Sequence, residues 1–453
     1  MPPIDGGHAS GNLVPMTALA IRGALVFHHG RFQPLEVRCD GPWISQVQPS
    51  VDTTGARVID APGLHLFPGV VDVQVHFRDP GLTHKEDLRT ATRACAKGGV
   101  TSFLEMPNTI PNATNQREID AKLELASRKS LVNYGFFVGA TNRNLADLQA
   151  ARRVCGIKVF MGASTGDLLV DDPAALERIF AETDKSRVIA LHCEDEAYLR
   201  TRKAQFAPRD DLQAYTDWRD EEAAWLATLR AVSLARKYQH RAHILHVSTA
   251  RECELLQPRD TLVTGETSPH HLLLNTDDYA RLGTLAKMNP PLKHRRNNAG
   301  LWQALRDGRL CAIATDHAPH TLEEKRKGPW SAPAGIPAVE NLLALTLDAA
   351  SRGLCTLEQA ALWLCENPAR CYGMKGRGII DIGAFADLAL VDTRALHTVR
   401  NEDQLTKCGW TPWHGQPLRG RCELTVCNGS IVHEAGRVTD QPCGREIEYA
   451  SAQ

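Results

Sequence analysis

From residue 66 onward the chain repeats one pattern: a short apolar run, a polar end, then a stretch with helical spacing. The apolar runs cover 66–75, 100–106, 134–139, 157–161, 188–191, 242–245, 261–263 and 310–314. Amphipathic segments at 85–97, 118–128, 173–184, 223–237, 250–256 and 299–306 lie between them, and 340–351 follows the last. Continuous apolar runs alternating with helical periodicity predict βα units around a buried parallel sheet. Eight runs predict an α/β fold closed as a (β/α)8 TIM-like barrel over 66–375, with an open doubly wound sheet as the alternative. Residues 17–65 and 376–440 instead carry short strand-like pieces and turns, among them Asn428-Gly429. Each piece is too small to hold a core, so together they are expected to form one small composite β-sandwich beside the barrel. Residues 1–16 and 441–453 read as tails.

Composition narrows the class without naming a chemistry. The chain has 453 residues, 43% hydrophobic and 23% charged, with a formal net charge of -1. That balance describes a protein with ample length for a large core and gives no support to nucleic acid or an anionic membrane as partner. No apolar run approaches the roughly 20 residues of a membrane span, and the first residues lack the pattern of a signal peptide. Thirteen cysteines stand singly, with no C-x-x-C pair. Their scatter suits reduced, mostly buried thiols in a cytoplasmic protein.

The chemistry sits where the apolar runs end. The first run ends in Gln74, His76 and Arg78, on alternate positions that put them on one face of a strand leaving the core. The second ends in Glu105-Met-Pro-Asn108, and the fourth contains Lys158. The fifth ends in His192-Cys-Glu194, the sixth in His246-Val-Ser248, and the eighth in Thr315-Asp316-His317-Ala-Pro-His320. In a barrel of this kind the carboxyl ends of all strands converge on one mouth. Taken singly, each residue has a plain structural reading: a hydrogen-bonded histidine, a solvated lysine, an aspartate capping a helix. Taken together, three imidazoles, a carboxylate and a lysine suit a hydrolytic divalent metal site. Phosphate-loop, H-E-x-x-H and dinucleotide-binding motifs are absent; Gly162-Ala-Ser-Thr-Gly166 lacks the lysine a phosphate loop needs.

These stretches resemble the cyclic amidohydrolases of the amidohydrolase superfamily, and most closely the dihydroorotases. The matching residues are Phe67-Pro-Gly-Val-Val-Asp-Val-Gln-Val-His-Phe-Arg-Asp-Pro-Gly81, Gly99-Val-Thr-Ser-Phe-Leu-Glu-Met-Pro-Asn-Thr109 and Ile157-Lys-Val-Phe-Met-Gly162. They continue with Leu191-His-Cys-Glu194, His243-Ile-Leu-His-Val-Ser-Thr249, Met288-Asn-Pro-Pro-Leu-Lys293 and Ala314-Thr-Asp-His-Ala-Pro-His320.

The resemblance implies a zinc-dependent enzyme that interconverts N-carbamoyl-L-aspartate and (S)-dihydroorotate in pyrimidine biosynthesis. It implies one or two zinc ions, bridged by Lys158 as its carbamate. His76 and Asp316 would hold one position, and His192 and His246 the other. Asp316 would be general base and then acid. Arg78, Asn108 and His320 would grip the substrate carboxylate, while Asn289 and the backbone at Ala334 and Gly335 would contact the ring. A homodimer is expected, with a small-molecule substrate and aspartate transcarbamoylase as a candidate partner. Arg78 favours dihydroorotase over allantoinase or hydantoinase, since only dihydroorotate among their substrates offers a carboxylate. Gln74 departs from the family's His-x-His pattern and replaces an imidazole by a weak neutral donor. That departure leaves a non-catalytic scaffold for the transcarbamoylase as the competing reading.

Overall fold

The computed structural model describes residues 18–163 and 168–450. The expected N-terminal tail therefore lies outside the described residues, as does most of Gly162-Ala-Ser-Thr-Gly166.

Eight parallel strands form the barrel: β1 (Val70–Val75), β2 (Val100–Glu105), β3 (Asn133–Gly139), β4 (Gly156–Phe160), β5 (Ile189–His192), β6 (Ala242–Ile244), β7 (Val263–Thr267) and β8 (Ala312–Ile313). Each pairs with the next in sequence order. A parallel bridge between Val75 and His317 brings the two ends together. There the His76 N–H donates to the His317 carbonyl at 2.7 Å. Helices cover the outside, and their starts follow capping chemistry. Asp87 and Thr249 close capping boxes before Leu88–Lys97 and Ala250–Cys253. The fold class expected from the sequence is the one observed.

Two of the expected runs differ in extent. The run at 66–75 is not one strand: Gly69 divides it, leaving His65–Pro68 in a different sheet from β1. A Cβ at Gly69 would lie 2.0 Å from Thr101 Oγ1, so only glycine lets the chain cross between the two layers here. The run at 261–263 sits too early, because β7 reaches to Thr267 and buries Gly265, Glu266 and Thr267. A count of apolar residues misses these positions. Glu266 is buried because His243 Nε2 pairs with it at 3.0 Å.

The chain ends build two further sheets. One has four strands in the order Trp43–Gln48, Glu36–Asp40, Ala18–Arg22, Ala56–Asp60. The other runs Arg437–Val438, Ser430–Glu434, Pro417–Cys427, Leu388–Thr398, His65–Pro68, Leu25–His28, Arg31–Pro34. Ile21, Val26, Val37 and Leu66 share one apolar cluster with Leu388, Leu424 and Val426. Truncating a fully buried leucine such as Leu66 to alanine costs about 2–5 kcal/mol. Residues 445–450 run against the barrel: the Tyr134 N–H donates to the Arg445 carbonyl and the Ile447 N–H to that of Tyr134. Among the described residues no helix is long and apolar enough to cross a membrane.

Candidate active site

The carboxyl ends of the strands bring Gln74, His76, Arg78, Lys158, His192, His246 and Asp316 to one cavity, which Asn289, Ala334 and Gly335 also line. The convergence does not come from regular strand geometry alone. β1 stops at Val75, one residue short of His76, so the expected shared strand face ends there. Arg78 (φ 65°), His246 (φ 37°) and Asp316 (φ 47°) all hold left-handed backbone, which turns their side chains inward. Such conformations cost about 1–3 kcal/mol each and persist where the surroundings fix them. Asp72 supplies one such constraint. It accepts the Thr315 hydroxyl at 2.5 Å and the Thr315 and Gln74 N–H groups, tying β1 to the turn that carries Asp316. Burial pushes its carboxyl up to about 7.

Two halves of the site face each other. On one side His76 Nδ1 donates to Asn108 Oδ1 at 2.7 Å, which leaves Nε2 with its lone pair 3.1 Å from Asp316 Oδ1. Gln74 Nε2 donates to that same carboxylate oxygen at 3.1 Å, while Gln74 Oε1 is buried without a partner. On the other side His192 Nε2 donates to Glu194 at 3.0 Å, so Nδ1 points its lone pair at His246 Nε2, 3.0 Å away. Burial lowers the pKa of all three imidazoles, His246 most strongly, and so favours their neutral forms. Burial alone would raise the Glu194 carboxyl, but Arg219 and His192 outweigh it and hold it well below the usual range. Lys158 lies between the halves, fully buried, with no hydrogen-bond partner and its ammonium 4.4 Å from the Phe160 ring centre. Burial brings its pKa down to about 7.

Arg78 is also buried, and one of its terminal nitrogens, Nη1, makes no hydrogen bond. Burial lowers its pKa to about 10. Among the described residues no carboxylate lies within salt-bridge range of this guanidinium. His320 stands behind it: Nε2 is 3.2 Å from Arg78 Nη2 and 3.0 Å from the Ala334 carbonyl, and Nδ1 is 3.1 Å from Lys85 Nζ. His320 and Asn108 thus form a layer behind the cavity wall. Asn289 lines it and accepts from the Tyr215 hydroxyl at 2.7 Å. Gly335 (φ 137°) must be glycine, since a Cβ there would lie 2.4 Å from the Ala318 carbonyl oxygen. Lys325 fixes this loop by donating to the carbonyls of Lys287, Pro333 and Gly335. The aromatic stretch at 409–415 packs over the same rim: Trp410 and Trp413 are fully buried, and Trp410 Nε1 donates to the His320 carbonyl.

The Amidohydrolase family matches residues 65–432 of this sequence. The chain belongs to that family. A dihydroorotase from Methanothermobacter thermautotrophicus is 36% identical over 84% of this chain and 87% of its own length. An allantoinase from Rubrobacter xylanophilus is 34% identical over 95% of this chain and 97% of its own. Among solved structures, the L-hydantoinase (dihydropyrimidinase) from Arthrobacter aurescens superimposes with a TM-score of 0.90 at 26% identity, covering 95% of this chain and all of that one. The resemblance to dihydroorotases read from the motifs is borne out.

For a member of the amidohydrolase family, the cavity's donor set fits a divalent cation on its own geometry. Two acceptors, His76 Nε2 and Asp316 Oδ1, face each other at 3.1 Å, and Lys158 Nζ is buried and unpartnered. Neutral imidazoles and a carboxylate are zinc-class donors. Two residues that matter here were not singled out from the sequence. Glu194 stood in plain view within His192-Cys-Glu194, and a carboxylate two residues after a candidate ligand is the available signal. Arg219, which clamps Glu194 at 2.6 Å, lies 25 residues away on another element and leaves no local trace.

Proposed function

We propose that this chain is a dihydroorotase, opening the ring amide of (S)-dihydroorotate with water and closing N-carbamoyl-L-aspartate in reverse. The observation that carries the reading is Arg78, a buried guanidinium on the cavity wall with an unpartnered nitrogen and, among the described residues, no carboxylate in salt-bridge range. Burying a charge without its counter-ion is costly, and a substrate carboxylate bound to the fork offsets that cost. Allantoin and simple hydantoins offer no such group.

Lys158 as its carbamate, with His192 and His246 on one side and His76 and Asp316 on the other, would hold one or two zinc ions, which supply Lewis acidity and ionise water near neutral pH. The chain's own residues do the rest. Arg78, whose Nε donates to the Pro319 carbonyl, fixes the ring by its carboxylate. Asn289 and the backbone at Ala334 and Gly335 line the same cavity and contact the ring. Asp316 takes the proton of the attacking water and returns it to the departing ring nitrogen. Its orientation is set by His76 and Gln74, which contact the same carboxylate oxygen. Lys158, with its pKa near 7, has the neutral amine fraction that reaction with carbon dioxide requires.

The test is a substrate panel on the purified protein: dihydroorotate, N-carbamoyl-L-aspartate, allantoin and hydantoin. Turnover of the first two is expected to be much the faster. Faster turnover of a carboxylate-free ring would overturn the reading in favour of an allantoinase or hydantoinase. No turnover at all, in a protein that binds a transcarbamoylase, would favour the scaffold.

A further inference from the structure

At the amino ends of the barrel strands, away from Asp316, two cysteines from distant parts of the chain meet. Cys311 immediately precedes β8, and Cys371 closes the helix Asn367–Cys371. Their Sγ atoms are 3.1 Å apart. Both backbones are pinned: Asn367 Nδ2 donates to the Cys311 carbonyl at 2.8 Å, and Arg241 Nη2 donates to that of Cys371 at 2.6 Å. Both residues are partly exposed, whereas most other cysteines are buried. We propose that Cys311 and Cys371 form a peroxide-oxidisable dithiol at the base of the barrel, with Cys371 as the attacking sulfur and Cys311 as the resolving one.

The surroundings assign the two roles. The hydrogen bond between the two thiols, opposed by burial and aided by His243, lowers the pKa of the Cys371 thiol, while that bond and burial push Cys311 well above its ordinary value. His243 is held toward its charged form. Burial would lower its pKa, but Glu266, 3.0 Å from Nε2, outweighs burial and raises it. Low-pKa thiols beside a cation with a second thiol in contact are the ones that react with peroxide. Cys427 also has a neighbouring thiol, in Cys443, yet burial drives it well above the ordinary range. His243, Cys311 and Cys371 hold donor atoms within 4.8 Å of one another, close enough for a metal. However, both ring nitrogens of His243 are already engaged, one by Glu266 and one by Thr264 at 2.6 Å.

The chemistry balances with hydrogen peroxide as the oxidant. The Cys371 thiolate attacks one peroxide oxygen, the O–O bond breaks, and the departing hydroxide takes a proton to become water. The Cys311 sulfur then attacks the sulfenic sulfur of Cys371. The S–S bond forms, the S–O bond breaks, and the Cys311 proton leaves with that oxygen as a second water. The product ties the last barrel strand to the helix before the sandwich strands.

The test treats the whole purified protein with dilute hydrogen peroxide, alkylates the remaining thiols and maps the peptides by mass spectrometry. The expected result is a Cys311–Cys371 cross-link that forms roughly tenfold or more faster than loss of any other thiol and is reversed by dithiothreitol. In Cys311→Ser, Cys371 should instead accumulate as a sulfenic acid captured by dimedone; in Cys371→Ser, Cys311 should remain alkylatable. The proposal is overturned if no such cross-link appears in the wild type, or if another pair forms faster. Retained zinc that shields these two thiols and is lost in both serine variants would also overturn it.

Discussion

Glu194 Oε2 accepts from His192 Nε2 at 3.0 Å and from Arg219 Nη2 at 2.6 Å, so one carboxylate joins a candidate metal ligand to a buried guanidinium. The bond fixes the imidazole tautomer and turns Nδ1 toward His246. Partners of this kind typically contribute 10- to 100-fold to metal affinity. Glu194→Gln keeps the shape but gives up the charge. It is expected to weaken metal retention by roughly tenfold or more, with the secondary structure unchanged. Elemental analysis after timed exposure to a chelator measures this directly. Metal loss at the wild-type rate would refute the orienting role.

The unpartnered nitrogen of Arg78 leads to a second expectation. A charged hydrogen bond contributes about 1.5–3 kcal/mol, so Arg78→Gln should lower kcat/KM for dihydroorotate by roughly 10- to 100-fold. Most of the change should appear in KM, because the carboxylate lies away from the reacting amide. Residual activity on a ring without a carboxylate should not fall. An equal loss on both kinds of substrate would mean that Arg78 supports the fold of the cavity and not recognition.

The barrel was legible because most of its strands are continuous apolar runs, and a parallel sheet covered on both faces demands such runs. Where a strand buries polar groups in pairs, as Glu266 does with His243, the signal vanishes and β7 is read too early. The ligand candidates other than Lys158, which lies inside a run, were legible because each sits at the end of one. Their approach was not, since it depends on left-handed turns at Arg78, His246 and Asp316, and a positive φ is too uncommon in these residue types for the sequence to announce one. The layer behind the cavity was the least visible. Arg219, Lys325 and Trp410 act across the fold through single hydrogen bonds, which leave no period and no motif.

Gln74 stands where the motif resemblance predicts a histidine, and its amide gives a definite expectation. Nε2 is committed to Asp316 Oδ1 at 3.1 Å, and the amide oxygen is a weak zinc donor. The position shared by His76 and Asp316 should therefore bind its cation less tightly than the one at His192 and His246. Gln74→His supplies a second imidazole there. Metal content after dialysis should rise by about one equivalent per chain, and chelator resistance should rise with it. An unchanged stoichiometry would show that the amide costs the site nothing.

His240 supplies an acid-stability test away from the cavity. Its ring is fully buried, edge-on to Phe180 at 6.0 Å, with Nε2 3.0 Å from the Thr183 hydroxyl and Nδ1 3.1 Å from the Arg241 carbonyl. Burial lowers its pKa from 6.5 to about 4. The folded state therefore holds the neutral ring, while the unfolded chain takes up a proton below pH 6.5. Stability from this residue is fully present above pH 6.5 and is lost as pH falls through the window down to 4, in total about 3 kcal/mol. By pH 5 roughly 2 kcal/mol of it should be gone. His240→Gln removes the titrating group, so the wild type should lose more melting temperature than the variant between pH 7.5 and 5. Calorimetry on both proteins at the two pH values reads the difference, and parallel slopes would mean that His240 stays accessible to protons in the folded state.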